Sequence, residues 1–143
     1  MRTLVIGYGN DLRSDDGAGR AVADRIAALN LPGVSVRSVI QLTPELALEI
    51  AEHDTVVFVD ANVEVAATTS TTVVAGPSDS TAMSHYTTPE SLLGMTATIG
   101  DVPSTAIAIS IPVADIGLGM ELTPITAAGV EEAISMVTAV VGE

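Results

Sequence analysis

Apolar and polar positions near the start of the chain predict a strand, a turn and a helix. The apolar residues 4–6 lead into residues 7–10, where two glycines and an asparagine permit a tight turn with positive φ. Apolar side chains then recur at helical spacing over residues 17–29. We therefore expect a buried first strand, a turn at its carboxyl end, and a helix whose first turn carries Asp15 and Asp16.

The rest of the chain alternates in the same way between strand and helix patterns. The predicted strands cover residues 34–39, 55–61, 105–111 and, as an edge strand, 72–75; the predicted helices cover 43–52, 88–98 and 123–141. These three helices begin with Thr-Pro, which we interpret as a shared capping device. The order predicts one domain over residues 1–143. Its fold class is α/β, a three-layer sandwich with a mostly parallel twisted sheet of about five strands (phosphorylase/hydrolase-like).

Composition supports the fold class and excludes several partners. Hydrophobic residues make up 48% of the chain but aromatic residues only 2%, which is typical of a Val, Ile, Leu and Ala core around a parallel sheet. Five basic residues stand against 18 acidic ones, for a net charge of −13, so we expect no nucleic acid and no membrane partner. There is no cysteine, and we see no run of about 18 apolar residues that could span a bilayer. We expect a cytoplasmic monomer.

The glycine turn after the first strand first suggests a dinucleotide-binding site. The third glycine of the G-x-G-x-x-G pattern is replaced by Leu12, and the second strand ends without an acidic residue for a ribose. Asp15 and Asp16 also stand where a pyrophosphate would bind, and two carboxylates repel an anion. The charges argue against a nucleotide.

A cation is the better candidate ligand for this edge of the sheet. Asp16 follows the first strand, Asp60 is expected to end the third strand, and His85 lies in the loop before the third helix. Two carboxylates and one imidazole would form a three-ligand site with open positions, which suits a borderline divalent metal. Each residue also has a structural interpretation, because an acid suits a first helical turn and a single loop histidine is usually solvated. His53, at a polar helix end, is interpreted as structural.

Four stretches of the chain resemble the hydrogenase maturation endopeptidases, which process the large subunit of nickel-iron hydrogenases. These stretches are GYGNDLRSDDGAG, QLTPELALEIAEHDTVVFVDA, SHYTTPESLL and LTPITAAGVEEAISMV. The resemblance implies that Asp16, Asp60 and His85 are both the metal ligands and the catalytic residues. Well-known members carry Glu where Asp16 stands, and this change shortens the reach of the side chain but keeps the donor chemistry.

The resemblance also implies a substrate and a metal. The partner would be the hydrogenase large-subunit precursor, from which a C-terminal peptide is removed once nickel is inserted. The nickel would be carried by the substrate, and other divalent metals can occupy the site. Because cysteine is absent and no Ser-His-Asp relay is visible, water would be the attacking group. The alternative is a non-catalytic metal- or small-ligand-binding α/β module.

Overall fold

The computed structural model describes residues 1–63, 69–75 and 87–142. The strands in these residues are β1 (Thr3–Tyr8), β2 (Val34–Val39), β3 (Thr55–Asn62), β4 (Ser70–Val73) and β5 (Thr105–Pro112). The helices are α1 (Ala18–Ala28), α2 (Leu46–Ile50), α3 (Pro89–Ile99) and α4 (Pro124–Val141), and a single 3-10 turn, Ser14–Gly17, precedes α1.

The five strands form one sheet in the order β2-β1-β3-β5-β4. Strands β2, β1, β3 and β5 are parallel, and β4 joins β5 in the antiparallel direction at the edge. The α/β class and the mostly parallel sheet are thereby confirmed. The edge strand lies two residues earlier than predicted, at Ser70–Val73.

Helices cover both faces of the sheet, which makes the fold the predicted three-layer sandwich. Helices α1 and α4 pack on one face, and the buried side chains of this layer include Val5, Val57, Ile109, Val22, Ile26, Val130 and Val137. Helices α2 and α3 pack on the other face, where the core includes Leu4, Ile6, Phe58, Leu46, Ile50 and Leu92. Alternate residues of each strand thus enter opposite cores, as parallel sheets buried on both faces require.

Two glycines bring the start of α1 directly against the carboxyl ends of the strands. A Cβ on Gly7 would meet the carbonyl oxygen of Gly19, and a Cβ on Gly19 would meet the carbonyl oxygen of Val59. Only glycine permits this separation between helix and sheet. The turn that follows β1 is set by Gly9, which has a φ of 146°. This turn contacts the 3-10 turn that carries Asp15 and Asp16, since a Cβ on Gly9 would meet the Asp16 carbonyl oxygen.

The shared capping device predicted for the three Thr-Pro sequences is wrong for two of them. Thr88 does form a capping box with Ser91: its Oγ1 accepts from the Ser91 amide at 3.0 Å, and Ser91 Oγ accepts from the Thr88 amide at 2.8 Å. The side chain of Thr123 makes no cap hydrogen bond to α4. Thr43 lies outside α2, which begins three residues later at Leu46 and is shorter than predicted.

Leu29, which the helical spacing places on the apolar face of α1, is instead 51% exposed, because the helix ends just before it. His53 is buried, and its Nδ1 donates to the Glu49 carbonyl at 2.7 Å, in agreement with its structural interpretation. Helix α4 is long and apolar enough, by length and composition alone, to cross a membrane, although it includes Glu131 and Glu132 and is not an unbroken apolar run. One side of α4 nevertheless packs on the sheet.

Candidate active site

Asp60 lies in β3 at the carboxyl edge of the sheet. The pairing of β1 with β3 ends at Val59, so Asp60 stands immediately beyond the last pair. On the other side β5 continues, and Ser110 is the register partner of Asp60. The strand therefore runs two residues past Asp60, to Asn62, and does not end there as predicted. The hydroxyls of Tyr8 and Ser110 are close enough to the Asp60 carboxylate for hydrogen bonding from them to lower its pKa.

The surroundings of Asp60 disfavour its charged form. Burial raises the pKa of Asp60 to about 6, and the negative charges of Asp16 and Glu90 add to the increase. The hydrogen bonds from Tyr8 and Ser110 favour the carboxylate but only partly offset this effect. A perturbed acid in a polar edge of a sheet is typical of a functional site.

Tyr8 is held in its protonated form beside Asp60. Burial raises the pKa of the Tyr8 phenol, and the charges of Asp60 and Glu90 raise it further. The hydroxyl therefore remains a donor to Asp60 at any physiological pH. Glu90, in the first turn of α3, contributes its charge from the helical layer against which Tyr8 packs.

Asp16 is fixed by the turn that follows β1. Its Oδ2 accepts from the Asn10 amide at 2.9 Å, and its own amide donates to the Arg13 carbonyl at 3.1 Å. Because a Cβ on Gly9 would meet the Asp16 carbonyl oxygen, the turn lies directly against this residue. Asp16 and Asp60 thus reach the same edge, and their mutual repulsion is the interaction that a bound cation would relieve.

Asp15 has a structural role, unlike its neighbour. It is fully buried, and its carboxylate accepts from the amides of Ala114 (2.8 Å), Asp115 (3.0 Å) and Thr123 (2.7 Å) and from Thr123 Oγ1 (2.7 Å). Burial alone would raise the pKa of Asp15, but these hydrogen bonds together lower it to about 2. The carboxylate ties the loop between β5 and α4 to the start of α1.

The third predicted ligand, His85, lies outside the described residues. Within residues 1–63, 69–75 and 87–142, no three acidic or histidine side chains are grouped closely enough to hold a metal ion. The structure therefore brings Asp16 and Asp60 to one edge, and the complete three-ligand site stays a prediction. Two carboxylates are suitable oxygen donors for a divalent cation.

The sequence interpretation missed Tyr8, Ser110 and Glu90. Tyr8 was assigned to the turn, but it is the last residue of β1. Ser110 is the one polar residue in the middle of the apolar run of β5. Its importance can be recognised only from the strand register, which places it beside Asp60. Glu90 directly follows Thr88-Pro89, so its sequence position indicates only the start of a helix.

The sequence matches no protein-family model and no curated protein. Similar folds occur among solved structures. The hydrogenase maturating endopeptidase HybD from E. coli is 21% identical, with a TM-score of 0.78 over 98% of this chain and 91% of that one. A hydrogenase 2 maturation peptidase from a Thaumarchaeota archaeon is 23% identical, with a TM-score of 0.73 over 99% of both chains. The chain has their fold.

A third structure extends the similarity. The [NiFe] hydrogenase maturation protease HycI from Thermococcus kodakarensis is 22% identical, with a TM-score of 0.72 over 99% of this chain and 93% of that one. At these identities the likeness establishes the fold, and function has to be argued from the site.

Proposed function

We propose that the chain is an endopeptidase that removes a C-terminal extension from the nickel-loaded large-subunit precursor of a nickel-iron hydrogenase. The observation that carries this proposal is the pair Asp16 and Asp60 at one sheet edge, in a fold shared with maturation proteases. Open α/β sheets bind ligands at this carboxyl edge. The sequence resemblance supplies the substrate class.

In this proposal Asp16, Asp60 and His85 bind the nickel that the substrate carries. Carboxylate oxygens and an imidazole nitrogen are ligands that a borderline divalent ion accepts. Three protein ligands leave coordination positions for groups of the substrate, so the ion would bridge the two proteins. Tyr8 and Ser110 orient the Asp60 carboxylate by hydrogen bonding, which is the usual way in which a protein fixes a ligand side chain.

The chemical step in the proposal is hydrolysis of one peptide bond by water. The water oxygen bonds to the scissile carbonyl carbon, the C–N bond breaks, and the water proton is transferred to the departing amine. In the proposal a carboxylate such as Asp16 accepts that proton first, and nickel in the substrate would supply Lewis-acid activation. The chain offers no cysteine as an alternative nucleophile.

The test combines purified protein with a nickel-loaded precursor and follows loss of the C-terminal peptide by mass spectrometry. We expect cleavage by the wild type and none by D60A or H85A, while D101A, an exposed acid between α3 and β5, serves as the matched control. Circular dichroism checks that each variant is folded. Unimpaired cleavage by H85A would remove His85 from the site. Precursor binding without peptide loss would favour the non-catalytic module.

A further inference from the structure

Four large apolar side chains are exposed on two neighbouring loops at the carboxyl edge of the sheet. We call them the apolar rim: Leu12 (59% exposed), Ile116 (37%), Leu118 (93%) and Met120 (78%). Leu12 belongs to the loop after β1, and the other three belong to the loop between β5 and α4. Grouped exposure of large apolar residues is typical of an interaction surface.

The rim is held in a defined shape by main-chain hydrogen bonds between the two loops. Gly119 donates from its amide to the Leu12 carbonyl at 2.9 Å, and its carbonyl accepts from the Ser14 amide at 2.7 Å. Arg13 Nε donates to the Ile116 carbonyl at 3.1 Å. Because the loops are fixed in this way, the apolar side chains are presented to solvent without a conformational change, which lowers the entropic cost of binding.

The rim lies beside the candidate active site. Leu12 is four residues from Asp16, and the Asp16 amide donates to the Arg13 carbonyl at 3.1 Å. Two open grooves of about 490 and 280 Å³ border the rim, and both are lined by Ser14, Met120 and Leu122. Asp16 lines neither groove, and it is the hydrogen-bonded segment of residues 10–16 that connects the rim to Asp16.

Acidic side chains surround the rim and define the charge of its partner. Asp115 and Glu121 stand on the same loop as Leu118, and residues 113–123 include no Lys or Arg. Asp11 and Asp24 line the smaller groove. Two arginines are nearby: Arg13 Nε is bonded to the loop backbone, and Arg20 Nη1 lies 3.4 Å from the carboxylate of Asp11. Four acids thus stand against two bases. The local charge is negative, as is that of the whole chain at −13.

We propose that the apolar rim docks the protein substrate through a segment that carries apolar side chains flanked by Lys or Arg. This inference rests on the proposed function and adds how the substrate is recognised. A second copy of this chain would place acidic groups opposite acidic groups, and an anionic lipid surface would be repelled in the same way. A basic, apolar protein segment satisfies both features of the surface.

The experiment compares a rim variant with a control that exposes equally large side chains elsewhere. The rim variant is L118S/M120S, and the control is L48S/V73S, whose residues are 65% and 84% exposed on α2 and β4. With the nickel-loaded precursor we expect the rim variant to raise KM roughly tenfold, the effect of removing a binding hot spot. We expect kcat to change less than twofold, and the control to leave both constants unchanged. Added salt screens the attraction between the acidic rim and a basic substrate segment, so it should raise the KM of the wild type. The rise should be smaller for E121Q, because this variant has one acidic charge fewer at the rim.

The outcomes separate the docking proposal from the proposed function. If the wild type cleaves and L118S/M120S retains its KM, the docking proposal is overturned and the endopeptidase remains. An equal rise of KM in the control variant also overturns it, because the effect would then not be local. If the wild type does not cleave, the docking proposal is tested by direct binding of the precursor to all three proteins. Binding by the wild type and by the control variant but not by the rim variant supports docking, and any other result refutes the docking proposal.

Discussion

The substitution Asp15→Asn tests whether one buried carboxylate holds the two loops of the site together. The amide has the same shape, but it carries no charge and presents an NH2 group as well as an oxygen. The Asp15 carboxylate accepts four hydrogen bonds, three of them from main-chain amides. In the variant at least one of these amides faces another donor, so we expect a clear loss of stability.

The magnitude follows from the pKa of Asp15. It falls from the ordinary 3.8 to about 2 on folding, and at 1.36 kcal/mol per pKa unit this contributes about 2 kcal/mol to the free energy of unfolding at neutral pH. Because the folded pKa is lowered, the contribution is complete above the unfolded pKa and is lost as the pH falls through the folded one. About half of it should be lost by about pH 3.

Urea unfolding of the wild type and D15N at several pH values measures this contribution. The control is D24N, which removes the same charge from an exposed position on α1. We expect D15N to be less stable by about 2 kcal/mol at about pH 7, and the difference to shrink below about pH 4. Equal stability at neutral pH, or a difference that does not depend on pH, would refute the role assigned to Asp15.

Two further substitutions address the edge of the sheet. The pKa of Asp60 rises from 3.8 to about 6 on folding, so at 1.36 kcal/mol per pKa unit its charged form costs up to about 3 kcal/mol of stability at about pH 8. Because D60N also weakens the hydrogen bonding at this position, we expect its free energy of unfolding at about pH 8 to exceed that of the wild type by about 1–2 kcal/mol, while cleavage is lost. Lower stability of D60N in urea at that pH would contradict this reasoning. Gly19→Ala places a Cβ against the Val59 carbonyl and should cost about 2–3 kcal/mol in thermal unfolding, whereas Gly117→Ala, whose Cβ would meet only the Asp115 side chain at 3.2 Å, should cost little. An unchanged Tm for G19A would show that α1 can shift without penalty.

Local signals allowed most of the fold to be predicted. Strand β2 has the predicted bounds, and the start of α3 follows from Thr88 and Pro89, because a capping box is made within four residues. The Thr-Pro signal also gives the correct start of α4, with Thr123 as N-cap residue, but the Thr123 hydroxyl bonds to Asp15, 108 residues earlier in the chain, and does not cap the helix. The antiparallel direction of β4 also depends on contacts that no local pattern contains.

The candidate site shows the same division between local and distant information. Asp16 and Asp60 could be placed at one edge because the ends of parallel strands meet there. The hydrogen bonding to Asp60 could not be predicted from the sequence, because Ser110 becomes a neighbour of Asp60 only through the register of β3 and β5. The separation of roles between Asp15 and Asp16 likewise depends on the loop that folds over Asp15.

The shape of the apolar rim is set by main-chain hydrogen bonds and by the side chains of Asp15, Arg13 and Asp115. The side chains of Ile116, Leu118 and Met120 point to solvent and make none of the hydrogen bonds that hold the loop. They can therefore be exchanged without altering the scaffold beneath them. If the rim docks the substrate as proposed, substrate preference can change through three surface residues, while the proposed metal ligands Asp16 and Asp60 stay the same.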